Sequence, residues 1–126
     1  MGNDLSKRAI ACKQRAIACK HWRWMPGMLS LPPQADRCQR DGQMMVGRLP
    51  DLTDPATLGC LLALVREAWA PARVVVYHQH GQPSWEINVE LPDGSMPCVE
   101  SADSEGAVLV AALEAAEGRE VSDEVS

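Results

Sequence analysis

The sequence predicts an α+β protein, an antiparallel sheet of three to five strands packed with two or three helices, in the order α-β-β-α-β-β-(β)-α. Three stretches predict it. Residues 55–69 carry apolar side chains at helical spacing, residues 73–91 read as two strands around a hairpin loop, and residues 105–117 form a second amphipathic helical pattern rich in Ala and Leu.

The helix at 55–69 is the clearest element. Asp54 is a good N-cap, and Pro55 suits the first helical position, where an N–H would have no partner within the helix. Leu58, Leu61, Leu62, Val65 and Trp69 share one face and predict a buried stripe. Ala56, Gly59, Cys60, Ala63 and Leu64 leave much of the remainder small and apolar, with Arg66 and Glu67 marking the wet sector. Pro71 ends the helix. Such a helix needs cover on more than one side, so it is expected between the sheet and another helix or a second subunit.

The hairpin follows. From Arg73 onward, Val74, Val76, His78 and His80 fall on one face, and Val75, Tyr77 and Gln79 on the other. Gly81 to Ser84 is the loop. In the next strand Trp85, Ile87, Val89 and Leu91 point inward, while Glu86, Asn88 and Glu90 point to water. Pro92-Asp93-Gly94 is a turn, since Pro presets φ and Gly accepts positive φ. Met96 to Glu100 is expected as a third, edge strand because Pro97 lacks a donor. Ser101 to Ser104 supply caps for the last helix, whose packing face is Leu109, Ala112, Leu113 and Ala116 and whose stop is Gly118.

The N-terminal part is organised differently. Residues 7–13, KRAIACK, are repeated as 14–20, QRAIACK, in residues that favour helix. Heptad spacing sets Ile10 over Ile17 and Cys12 over Cys19. Those two thiols cannot pair, because seven residues of helix separate them by ~10 Å, beyond the ~7 Å limit. Pro26 and Gly27 follow the helix, and short strands are expected at 28–31 and 43–46. The domain reading is a basic helix at 1–20, one α+β domain at 21–117 and a disordered tail at 118–126.

Composition narrows the function classes. One domain of 126 residues is long enough for a real core. With four Trp, one Tyr and no Phe, that core is aliphatic and each Trp carries unusual weight. No apolar run reaches the ~20 residues that span a bilayer, and the N-terminus has no secretory h-region. Met1-Gly2 with Ser6 matches the short N-myristoylation pattern, which matters only in a eukaryotic setting. Five cysteines, an odd number, point to reduced thiols in a cytosol. The net charge of −5 is uneven. Residues 1–50 hold nine Lys and Arg against three Asp and Glu, and residues 51–126 hold three against fourteen. The basic half can hold phosphate, nucleic acid or an acidic partner, or it can lie against the acidic half.

Catalytic patterns are absent: there is no phosphate-binding glycine loop, and no signature surrounds any Cys–His combination. No enzyme activity and no cofactor are expected. His78 and His80 on one strand face make half a zinc site that Cys38 or Cys98 can complete, and Cys19 and His21 form another close pair. The plainer reading is a solvent-facing strand end with cysteines serving as small core residues. Lys20-His21-Trp22-Arg23-Trp24-Met25 is the best ligand-binding candidate, because Trp stacks on bases while Lys and Arg hold phosphate. Arg73, Tyr77 and His78 are expected near it across the sheet. Against that stands a core plug, with one Trp buried and the other at an interface.

Residues 18–28, ACKHWRWMPGM, and residues 49–69, LPDLTDPATLGCLLALVREAW, resemble segments of small accessory proteins of tailed bacteriophages and prophages. The layout is also similar to the phage α-β-α sandwich proteins, and the likeness covers roughly residues 14–117. It implies a phage origin and a host-cytoplasm setting. Such proteins often counter host defence, some by sequestering nucleotide immune signals as homo-oligomers, others by direct contact with an effector. On that resemblance, the leading expectation is a non-enzymatic protein that sequesters a nucleotide-like signal. Trp22, Trp24 and Tyr77 would stack on it, and Lys20, Arg23 and Arg73 would hold phosphate, with His78 beside them. The alternatives are an inhibitor that sets Glu86, Glu90, Asp93 and Glu100 against a basic groove of a host defence protein, and a structural or regulatory phage protein without ligand. No membrane and no specific nucleic acid are expected as partners, and a homo-oligomer is.

Overall fold

The computed structural model describes residues 2–32, 35–78, 81 and 84–125, with side-chain surroundings for those between 10 and 117. The elements are α1 (Gly2–Ala18), α2 (Pro55–Trp69), β1 (Arg73–His78), β2 (Trp85–Glu90), β3 (Cys98–Ala102) and α3 (Glu105–Val125). The α+β class is as predicted, with a three-stranded antiparallel sheet in the order β1-β2-β3.

The sheet has one wet and one dry face, set by side-chain alternation. Val74 lies opposite Val89 and Val76 opposite Ile87, while Val89 and Ile87 lie opposite Cys98 and Glu100 of β3. Val74, Ile87, Val89 and Cys98 are buried, and this is the face the helices cover. The other face carries Arg73 opposite Glu90, Val75 opposite Asn88, and Tyr77 opposite Glu86. The third strand begins at Cys98, two residues later than expected. The turn before it is larger than Pro92-Asp93-Gly94: Leu91 N–H reaches Ser95 O at 2.9 Å, and the Asp93 carboxylate accepts from Ser95 N–H and Oγ–H.

α2 is capped as the sequence predicts, with the Asp54 carboxylate accepting from Thr57 N–H at 3.0 Å. Its buried stripe is rotated, however. Thr57, Leu61, Leu64, Val65 and Trp69 are buried, and Leu58 and Leu62 are only half-buried. Two layers explain the rotation. On one side, Trp69 Nε1–H donates to Ala112 O of α3 at 2.9 Å. On the other, the chain from His21 to Ser30 lies on α2: Leu29 N–H donates to Thr57 Oγ1 at 2.8 Å, Cys60 Sγ to Pro26 O at 3.4 Å, and Arg23 to Glu67 at 2.9 Å.

Among the described residues, the most enclosed helical stretch is 105–117 of α3. Gly106, Val108, Leu109, Val110, Ala112, Leu113 and Ala116 are all buried, which includes the whole expected face. α3 meets α1, α2, β2 and β3. Small residues let these neighbours close in; a Cβ on Gly106 would sit 2.9 Å from both Cβ and the carbonyl oxygen of Leu52. The helix also continues through Gly118 to Val125, where the sequence reading ended it and placed a disordered tail. One glycine costs only ~1 kcal/mol in a helix, and no proline follows to stop it.

α1 packs through the small residues of its repeat. Ala16 and Cys19 are buried and Cys12 half-buried, whereas Ile10 and Ile17 are 45% and 38% exposed. Arg15 pairs with Glu114, and the Lys20 backbone N–H donates to Glu117, tying α1 to α3. The side chains of the first repeat copy before Ile10 lie outside the described residues.

The strands expected at 28–31 and 43–46 do not form. In their place, Leu29 bridges Arg37 and Ser30 bridges Pro50 as isolated pairs. Pro32 and Pro50 supply no donors, and Gly42 and Gly47 take positive φ of 77° and 72°, so residues 43–46 are held in a loop. The Gln43 side chain fastens that loop by accepting from the N–H groups of Gln39 and Arg40.

Candidate binding surface

The turn after α1 sets Trp22 and Trp24 edge to face, ring centroids 5.5 Å apart, and buries Trp24. This is the core-plug arrangement with one ring inside. Trp22 is half-buried, and its indole N–H is shielded from solvent without an acceptor among the described residues, an uncommon state for a buried donor. Arg23 is committed elsewhere. It donates to Asp41 at 2.7 Å and, through both guanidinium ends, to Glu67 at 2.9 and 3.2 Å. These bonds raise its pKa further and use the geometry that a phosphate would need. Lys20 is exposed at the end of α1.

Arg73, Tyr77 and His78 are not gathered around the tryptophans. Arg73 and Tyr77 lie on the wet face of the sheet, opposite Glu90 and Glu86. The Tyr77 hydroxyl donates to the Glu86 carboxylate, which raises the phenol pKa. His78 lies on the other face and stacks on Trp85, centroids 4.8 Å apart. The expected seven-residue site is therefore two groups, with Lys20, Trp22, Arg23 and Trp24 at the turn after α1 and Arg73, Tyr77 and His78 on β1. The reason is parity: β1 must send Val74 and Val76 to the helices, so Arg73 and Tyr77 face away from them.

The acidic set of the alternative reading is dispersed as well. Glu86 and Glu90 share the wet face, Glu100 pairs with inward-facing Ile87, and Asp93 is bound up in its turn with Ser95.

Around Trp22 the loop 41–47 builds what the sequence did not show. Met44 and Val46 are 82% and 78% exposed, while Met45 between them is buried. They wall a shallow groove of about 350 Å³ with Trp22, Arg23 and Trp24, and a neighbouring one of about 570 Å³ bounded by Arg37, Gln39 and Arg48. Arg37 is held by Asp54 and by Gly27 O, and Arg48 by Asp36. Arg40 is exposed beside Met44 and, among the described residues, makes no ion pair. The only trace in the sequence is Met44-Met45-Val46 between two glycines.

Metal and nucleophile chemistry find little support. Among the described residues, no three His, Cys, Asp or Glu side chains converge as a ligand set. His80, half of the expected zinc pair, lies outside those residues. Burial pushes the Cys19 and Cys98 thiols up to about 11 and raises Cys12 and Cys60, the wrong direction for a thiolate nucleophile. Among the described residues, no helix is long and apolar enough to cross a membrane. No family model, no curated protein and no solved structure matches the chain.

Proposed function

We propose that the protein is a non-catalytic binding protein that engages a partner protein through Met44, Val46 and the rim of Trp22. The exposure of Met44 and Val46 carries this reading. Two large apolar side chains held outward by a fastened loop have no folding role, and Met is adaptable at binding surfaces. The partner should present an apolar side chain to this ridge and a carboxylate to Arg40. An acceptor for the Trp22 indole N–H would complete the contact. The likeness to phage accessory proteins suggests the setting, a host cytoplasm in which the partner is a defence effector.

Sequestration of a nucleotide-like signal ranks second. The 350 Å³ groove and the Trp22 ring favour it. Against it, Arg23 is already bound to two carboxylates and the groove is open, whereas small-ligand sites enclose most of their ligand.

The test compares the wild type with the double variant Met44→Glu, Val46→Glu as bait in bacterial extract, followed by titration of the purified partner. The variant should melt like the wild type and lose the partner. Thermal shift with cyclic di- and trinucleotides separates the second reading, because a ligand at ~100 times its Kd adds ~2.7 kcal/mol. Stabilisation by one of them, or retention of the same partner by the variant, overturns the protein-binding proposal.

A further inference from the structure

We propose that the free edge of β1 pairs antiparallel with β1 of a second copy, joining two three-stranded sheets into one of six strands across a two-fold axis. The inference is independent of the Met44 surface.

The two edges of the sheet differ. β3 starts just after Pro97, carries Glu100 and runs into Asp103, all features that blunt an edge. β1 reads Arg-Val-Val-Val-Tyr-His, with no proline, lysine or bulge and three β-branched residues in a row. Among the described residues, no backbone hydrogen bond links its outer edge to another segment. That edge is a row of backbone donors and acceptors in search of a strand.

The side chains choose the occupant. A two-fold axis perpendicular to the sheet pairs residues of equal parity, so each face stays continuous. Centred on Val75, it sets Val75 against its own copy on the wet face, where Val75 is 37% exposed. Val74 then faces Val76 of the copy on the dry face, extending the apolar layer. Arg73 faces Tyr77 of the copy, a cation beside an aromatic ring. Glu90 already flanks Arg73, and Glu86 already binds Tyr77. The row across the interface therefore runs acid, Arg, Tyr, acid, without a like-charge contact. Centring on Val76 instead would place His78 against Val74 in the apolar layer and forfeit the Arg73–Tyr77 contact. A different partner strand would have to supply the same complementarity; a second copy does so by symmetry.

The register makes the proposal testable at one residue. Directly opposed residues in an antiparallel pair have Cα atoms ~4.5–5.5 Å apart, within the ~4.4–6.8 Å range of disulfides. Val75→Cys should therefore form a covalent dimer on mild oxidation, while wild type and Val99→Cys, an exposed position on the far strand, should not. By light scattering the wild type should show twice the chain's 13.7 kDa. Val75→Lys should halve that mass with the circular dichroism spectrum of the wild type retained, because it places two ammonium groups face to face only in the dimer. A wild type that stays monomeric at every attainable concentration overturns the proposal, as does Val75→Cys crosslinking no faster than Val99→Cys. If Val75→Lys loses the wild-type circular dichroism spectrum, the cysteine comparison alone decides.

Discussion

At the scale of single residues, the junction around Thr57 joins the N-terminal layer to α2. Its hydroxyl donates to Asp54 at 3.0 Å and accepts from Leu29 N–H at 2.8 Å, and the residue is fully buried. Thr57→Val keeps the shape and strands both partners, so it should cost ~1–3 kcal/mol in a urea titration. Asp54 adds a pH dependence. Its Arg37 ion pair, with the Thr57 hydrogen bonds, holds the carboxyl at about 2 instead of 3.8. The folded state thus binds this proton more weakly than the unfolded chain. The contribution is complete above the unfolded value, shrinks as the pH drops below it, and is gone once the pH has passed through about 2. Asp54→Asn keeps a competent cap and should flatten the stability profile in that window. The Asp54 cap was legible because cap and first turn are adjacent in sequence. The fate of Arg23 was not. Its partners Asp41 and Glu67 are 18 and 44 residues away, and a sequence shows a cation without its neutralising carboxylates.

At the scale of elements, periodicity was readable wherever one layer decides burial. The hairpin faces and the Leu109, Ala112, Leu113, Ala116 face of α3 follow the predicted alternation and spacing. α2 was read as the covered helix because its Leu and Val residues dominate the count. Yet residues 105–117 of α3 are more enclosed, and Ala and Gly are what permit close approach on several sides. Gly106 tests that explanation. It faces Leu52 across a gap that no Cβ fits without movement. Gly106→Ala would raise helix propensity in isolation, but here it should destabilise by ~1–3 kcal/mol in chemical denaturation through overpacking. A neutral or stabilised variant would mean that the α3–Leu52 contact is loose. Met44-Met45-Val46 misled for the opposite reason. The three residues favour a strand locally, and only the two positive-φ glycines and the Gln43 side chain show that the chain turns there.

At the scale of the whole molecule, the helices divide the surface into regions with different uses. The sheet's wet face sets Arg73 opposite Glu90, ties Tyr77 to Glu86 by a hydrogen bond, and leaves β1 as its open edge. The Met44 loop, beside the tryptophan turn, carries the two most exposed large apolar side chains among the described residues. The charge asymmetry of the sequence is spent largely inside this arrangement. Among the described residues, Arg15, Arg23, Arg37 and Arg48 each meet a carboxylate, so these four guanidinium groups are already neutralised within the fold. The central claim is that the working surface is the 41–47 loop with Trp22. Hydrogen–deuterium exchange of the protein with and without its captured partner tests it most directly. The account predicts slowed exchange across residues 41–48 and the Trp22 turn, with β2 and β3 unchanged. Protection confined to the sheet, with the 41–48 loop exchanging as before, would contradict it.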